Sequence, residues 1–226
     1  MKPPFPAQRG QASLESAIVT GLLFLFAFAA IEASQWWLIR QHCLYALSEG
    51  LRQGSVHHAR IQAIQRGFEH GMAPRFVRAN PPPTAQSGLR AHGRAFQQRY
   101  GMAFYRLTPI HPSASHFHEF GHTDAQRQRR IRSDFYREQR LGLSARQTVR
   151  FEQALSLTVQ VHYLHAPWSA LMRWVMASLA KAAPDPDPWI QQARLQGLVV
   201  IMQQLSLPMQ SDPIAEPRQD YYFFGS

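Results

Sequence analysis

The first forty residues set the pattern of the chain. No charge occurs from Ser16 to Ile31, and apolar character resumes after Glu32 with Trp36, Trp37, Leu38 and Ile39. A helix over Ser16 to Ile39 would be about 36 Å long at ~1.5 Å per residue, enough to cross a bilayer. The tryptophan pair falls where an interfacial aromatic belt is expected. A secretory signal peptide would have a shorter apolar core ending in a small-x-small cleavage site. Ala27-Phe28-Ala29 loosely offers one, but the apolar run continues well past it. A retained anchor over residues 11–39 is the better reading.

Beyond the anchor the period changes. Leu44, Leu47 and Leu51, then Ile61, Ile64 and Phe68, recur at three- and four-residue steps. That spacing gives one apolar helix face and predicts an amphipathic helical extension over residues 40–79. His57, His58 and His70 are read there as solvated or interfacial. Asn80-Pro81-Pro82-Pro83-Thr84 breaks the pattern, since proline removes a donor and disfavours helix before it.

Strand-like segments follow. Met102 to Ile110 reads as a strand ended by Pro112. In Leu155 to Tyr163, apolar positions 155, 157, 159, 161 and 163 alternate with polar ones, the period of a half-buried strand. A third candidate, Gly197 to Ser211, is apolar and β-branched and is halted by Pro208. Between the last two, Trp168, Leu171, Met172, Val175 and Leu179 make a helical stripe. Arg173 and the short length argue against a second crossing, leaving a helix packed on the sheet or lying on a membrane surface. The Pro-Asp repeat from Pro184 to Pro188 reads as a stiff linker. The expectation is an α+β fold: a single transmembrane helix with its helical extension, then a small domain on a few-stranded antiparallel sheet (80–213). A flexible tail (214–226) ends in Tyr221, Tyr222, Phe223 and Phe224.

Length allows one or two domains. The formal net charge is +10, unevenly spread. Gly50 to Arg150 holds 17 Arg against five acidic residues, whereas Phe151 to Ser226 has four basic and six acidic. Such a basic stretch suits nucleic acid or anionic lipid. No nucleic-acid module accompanies it, and Arg outnumbers Lys 22 to 2 across the chain, so no specific nucleic-acid partner is expected. The single cysteine, Cys43, excludes an internal disulfide and reads as a helix-packing residue.

Candidate chemistry begins at Glu15. A carboxylate costs roughly 2.5–3.5 kcal/mol at the centre of a membrane helix, less near its end, and such residues usually have a partner. The leader Met1 to Gly10 is short and basic through Lys2 and Arg9, and it ends in glycine. Cleavage between Gly10 and Gln11 would free an α-amino group and make Glu15 the fifth mature residue. The amine could then pair with Glu15 of a neighbouring subunit. This spacing resembles the class III signal of type IV prepilins and pseudopilins.

Residues 10–41, GQASLESAIVTGLLFLFAFAAIEASQWWLIRQ, resemble the TadE-like pseudopilins of Tad (Flp) pilus systems. Glu15, a second Glu late in the helix (Glu32) and the basic-Gln exit (Arg40, Gln41) match residue by residue. The segments FYRLTPIHPSASHFHEFG, IRSDFYREQ, LSLTVQVHYLHAPWSALM and LVVIMQQLSLPMQSDP follow the family's order of short strands and connections. The resemblance implies a minor pseudopilin-like component that assists assembly or anchoring of a Tad/Flp-type pilus or related secretion filament. It further implies charge pairing at Glu15 and Glu32, processing at Gly10 and Gln11 by a prepilin peptidase, and other pilus subunits as partners. The chain would be single-pass in a bacterial inner membrane, with the N-terminus cytoplasmic and the domain periplasmic.

One motif points elsewhere. His118-Glu119-Phe120-Gly121-His122 fits the H-E-x-x-H pattern, in which two histidines on one helix face bind zinc and the glutamate acts as base. The context is poor: Pro112, Ser113 and Ser115 precede it, Gly121 weakens a helix, and Ala125 and Gln128 stand where the extended motif needs glycine and histidine. A membrane-anchored zinc metalloprotease is therefore the alternative, with a tethered binder of anionic polymer as a third reading. No Ser/His/Asp set, P-loop or dinucleotide fingerprint stands out. The expectation is no enzyme and no cofactor.

Overall fold

The computed structural model describes residues 11–77, 85–134, 136–216 and 221–222, with residues 11–14, 85, 137, 221 and 222 described by backbone alone. The expected break at Asn80 to Thr84 and the leader lie outside these residues. Contacts divide the chain into two units, with the boundary between Leu38 and Ile39.

Helix α1 (Gln11–Val56) runs without interruption, as a proline-free segment rich in Ala, Leu and Phe should. Its last eighteen residues belong to the second unit. There Ile39, Cys43, Ala46, Leu47, Leu51 and Ser55 are fully buried at helical spacing. The chain reverses at His58 and Ala59, both at φ 60°, into helix α2 (Ile61–Met72). Left-handed backbone at two consecutive non-glycine residues is strained, and the far end of the chain holds it. His58 N–H donates to Ser211 Oγ at 2.9 Å, and Ser211 Oγ–H donates to the Ser55 carbonyl at 2.8 Å. His58 Nδ1–H donates to the Asp212 carbonyl at 2.8 Å, and Ile214 N–H to the His58 carbonyl at 3.1 Å.

Small residues let α1 and α2 pack almost backbone to backbone. A Cβ at Gly67 would lie 2.8 Å from the Glu49 carbonyl oxygen and from Gly50 Cα. One at Gly71 would meet Ala46 Cα at 2.6 Å, and one at Gly54 would meet both Ile64 and Leu157. Two four-residue ladders, Ala46-Gly50-Gly54 and Ala63-Gly67-Gly71, thus interlock in an antiparallel hairpin. The expected apolar stripe is buried at Leu47, Leu51, Ile61, Ile64 and Phe68. Leu44 is only half-buried, and Cys43 takes its place on the inner face.

The hairpin lies on an antiparallel sheet of strands β1 (Tyr105–His111), β4 (Ser156–His165), β5 (Val199–Pro208) and the short β6 (Tyr221–Tyr222), ordered β5-β4-β1-β6. Tyr105 stands opposite Tyr163, which stands opposite Ile201. The alternation read from the sequence sets the core face: Leu157, Val159, Val161 and Tyr163 are all buried. Tyr105 packs on Phe68 with ring centroids 4.9 Å apart and donates its hydroxyl to Glu69 at 2.8 Å. Burial and the Glu69 carboxylate push the Tyr105 phenol well above its ordinary range. Helix α3 (Ala85–Tyr100) adds Phe96 and His92 against Phe104.

Helices α4 (Ala114–Phe120) and α6 (Ala145–Ala154) form a second small core around Phe117, Ile131 and Phe151. The strand pair β2 (His122–Thr123) and β3 (Arg129–Arg130), with the short helix α5 (Tyr136–Arg140), lies between them in sequence. The opposite face of the main sheet carries Arg106 and His162, both buried, against Asp187 and Trp189 at the start of helix α8 (Pro188–Leu195), on which helix α7 (Ala170–Ala182) packs.

Two expectations are corrected here. The Pro-Asp repeat is no linker: Asp187 caps α8, accepting from the backbone of Trp189 at 2.9 Å, with Pro188 pre-set for the first helical position. The tail does not loosen at Ile214, which is buried and bridges to Arg130, while Ala215 N–H donates to the Arg129 carbonyl at 2.8 Å. Tyr221 and Tyr222 extend the sheet along β1. Extended backbone beside an open strand edge gains partners for its own amide groups, which accounts for the ordering.

Candidate membrane anchor and assembly segment

Among the described residues one helical segment is long and apolar enough to cross a membrane, Glu15–Val56 of α1. Within the first unit its side chains face outward: Leu23, Phe24 and Phe26 are 63%, 63% and 71% exposed. A helix that is apolar all round and uncovered is costly in water and suited to lipid. Trp37, 60% exposed, sits near the end of this stretch with its ring available to the headgroup layer.

The two carboxylates lie in different settings. Glu15 is exposed, one turn after the start of α1 at Gln11. Glu32 is buried, at 5% exposure, and lies on the same helix face as Ile39, Cys43, Ala46 and Gly50. Seventeen residues separate them, about 25 Å of rise and roughly 100° of rotation, so α1 does not bring them together. Gly10 lies outside the described residues, and of Gln11 only the backbone is described.

The H-E-x-x-H residues do not share a helix face. His118 and Glu119 are in the last turn of α4, Gly121 ends the helix in an extended conformation, and His122 belongs to β2. Glu119 instead pairs with Arg150 of α6 at 2.8 Å, and Arg129 donates to the His118 carbonyl at 3.0 Å. Among the described residues no group of three or more His, Cys, Asp or Glu is placed to hold a metal ion.

Sequence reasoning missed two packing features of the second unit. The glycine ladders of α1 and α2 had a visible signal, small residues four apart in both segments. The Arg106–Asp187 pair had none, because 81 residues separate its members. Arg106 and Asp187 form a close ion pair, the guanidinium lies 4.9 Å over the Trp189 ring, and His162 meets the same ring at 6.4 Å. The Arg106 hydrogen bond holds the Asp187 carboxyl below its ordinary value, against the opposing effect of burial.

A long apolar helix continuing directly into a small α+β domain defines a class: domains carried on one N-terminal membrane-type helix. Within that class the chain carries a TadE-like segment, for the family model described as TadE-like protein matches residues 10–52. Such a segment points to a Tad pilus-associated component. No curated protein and no solved structure matches the chain.

Proposed function

We propose that the chain is a minor pseudopilin-like component that assists assembly or anchoring of a Tad/Flp-type pilus or related secretion filament. The observation that carries this reading is the family match over residues 10–52, which begins at Gly10 and spans the apolar helix and its exit. The segment includes every residue of the proposed processing and pairing set. Residues 1–10 are a leader removed by a prepilin peptidase, residues 11–39 cross the inner membrane, and the remainder folds in the periplasm. The freed amine of Gln11 meets Glu15 of a neighbouring subunit, which supports a carboxylate in lipid by giving it a counter-charge. Glu32 serves the same kind of pairing further along the helix. The chain acts by packing and charge pairing, with no chemistry of its own.

The test separates processing from pairing. With the cognate peptidase co-expressed, Gly10→Arg should leave a product about ten residues heavier, because the charged side chain replaces the small residue at the cut. Glu15→Leu should insert and be cut, yet fail to associate with the other pilus subunits. Intact Met1 in the mature protein, or normal assembly by Glu15→Leu, would leave Glu15 a headgroup-level residue of an uncleaved anchor.

A further inference from the structure

Helix α7 leaves its most apolar side uncovered. Trp168, Leu171, Trp174 and Leu179 are 71%, 56%, 67% and 58% exposed. Met172 and Val175 of the expected stripe are half-buried, so α7 rests on the domain by one flank only. That flank is fixed. Ala180 is buried, its carbonyl accepts from Gln191 of α8 at 3.2 Å, and Gly197 (φ 75°) lies so close that a Cβ there would meet the Arg173 carbonyl at 2.5 Å. The exposed side is therefore set by the fold.

Strand direction decides which end of the domain carries this patch. Leu157, at the start of β4, adjoins Gly54 near the end of α1. Tyr163, at the end of β4, lies within electrostatic reach of Cys43 and of Arg75. β4 thus runs antiparallel to the second-unit part of α1, residues 39–56, and finishes toward Ile39, the first residue of that unit. Only Ala166 and Pro167 separate β4 from Trp168, so α7 begins at that same end. No acidic residue occurs from Ala166 to Pro184, whereas Arg173 and Lys181 do. Exposed tryptophans between leucines and cations match the headgroup layer of an anionic bilayer.

We infer that the outer face of α7, through Trp168, Leu171 and Trp174, lies on the surface of the bilayer that α1 crosses. The occupant is lipid, with anionic headgroups met by Arg173 and Lys181. The tether makes this contact intramolecular in effect, so a small apolar face suffices. It would hold the domain against the membrane before filament entry and leave an apolar helix to be covered, or withdrawn, upon assembly. The inference rests on α1 being the membrane anchor.

The experiment uses the full chain in nanodiscs of phosphatidylcholine, with and without phosphatidylglycerol. An environment-sensitive fluorophore is placed at Leu171→Cys, Ser178→Cys, Phe26→Cys or Leu141→Cys; Cys43, fully buried, stays unlabelled. Nitroxide-bearing lipids serve as quenchers. Emission at Leu171→Cys and Ser178→Cys should shift to the blue and be quenched, more so with the anionic lipid, as at Phe26→Cys. Leu141→Cys, apolar and 88% exposed before α6, should not respond. Quenching without dependence on the anionic lipid still supports the contact, carried by the apolar face. Quenching at Phe26→Cys alone, with both α7 positions behaving like Leu141→Cys, overturns the inference and leaves the anchor standing. No quenching at any position overturns the anchor reading and this contact together.

Discussion

At Asp187 one carboxylate accepts the backbone N–H groups of Trp189 and Ile190 and pairs with the buried Arg106. These roles separate by substitution. Asp187→Asn keeps an acceptor for the cap but removes the counter-charge, whereas Asp187→Ala removes both. Caps are worth ~1 kcal/mol, and stripping one partner from a largely buried pair costs more. Denaturant unfolding should therefore rank the parent above Asp187→Asn, and that above Asp187→Ala, with the last down by about 3 kcal/mol. The pair also sets a pH dependence. The folded carboxyl titrates below its ordinary value of 3.8, so its contribution is present above pH ~4 and is lost as pH falls through the folded value. Asp187→Asn should flatten that acid limb. Glu119 is a contrasting residue, because its pair with Arg150 is half in solvent and worth under ~1 kcal/mol. Glu119→Gln should leave assembly and stability nearly unchanged; stoichiometric zinc and a proteolytic activity lost in this variant would establish the alternative instead.

The helical hairpin shows what an element requires beyond its period. Its apolar stripe was legible because buried faces recur every three to four residues. The glycines look unfavourable by helix propensity, yet the α1–α2 approach leaves no room for a Cβ at Gly54, Gly67 or Gly71. Gly67→Leu should lower the thermal midpoint of the domain, at an overpacking cost of about 1–3 kcal/mol or more, since backbone must move. Gly21→Leu, in the same long helix α1, meets nothing within 4 Å and should leave that midpoint unchanged. The turn between these helices depends on residues over 150 positions away. Ser211→Ala removes the hydroxyl bridging His58 N–H and the Ser55 carbonyl and should cost about 1 kcal/mol. Helix α7 went the other way: its stripe has the period of a packing face, but a period alone does not say which partner covers it.

For the whole molecule the proposed orientation is itself measurable. The positive-inside count is even, Lys2 and Arg9 against Arg40 and Arg52, so the proposed cytoplasmic leader rests on the prepilin-type reading instead. A reporter fused after Ser226 should be active only in the periplasm, and activity confined to the cytoplasm would reverse the orientation. What the sequence determined by itself was local or periodic. The membrane-type helix follows from a segment, Ser16 to Ile39, that is apolar but for Glu32 and about 36 Å long, β4 from its period of two, the core face of α1 and α2 from a period near 3.6. The TadE-like character also resides in one contiguous segment. Tertiary structure alone decided whatever joins distant residues. It split His118 and His122 between a helix and a strand, because Gly121 ends α4 and the β2–β3 pairing claims the next residue. It made Pro184 to Pro188 a helix start, because Arg106 on a strand 81 residues earlier supplies the counter-charge for Asp187. It ordered Ile214 to Glu216 against a turn, and it turned the apolar side of α7 outward. A sequence states which residues prefer burial; which of them find a partner depends on long-range contacts that no local pattern encodes.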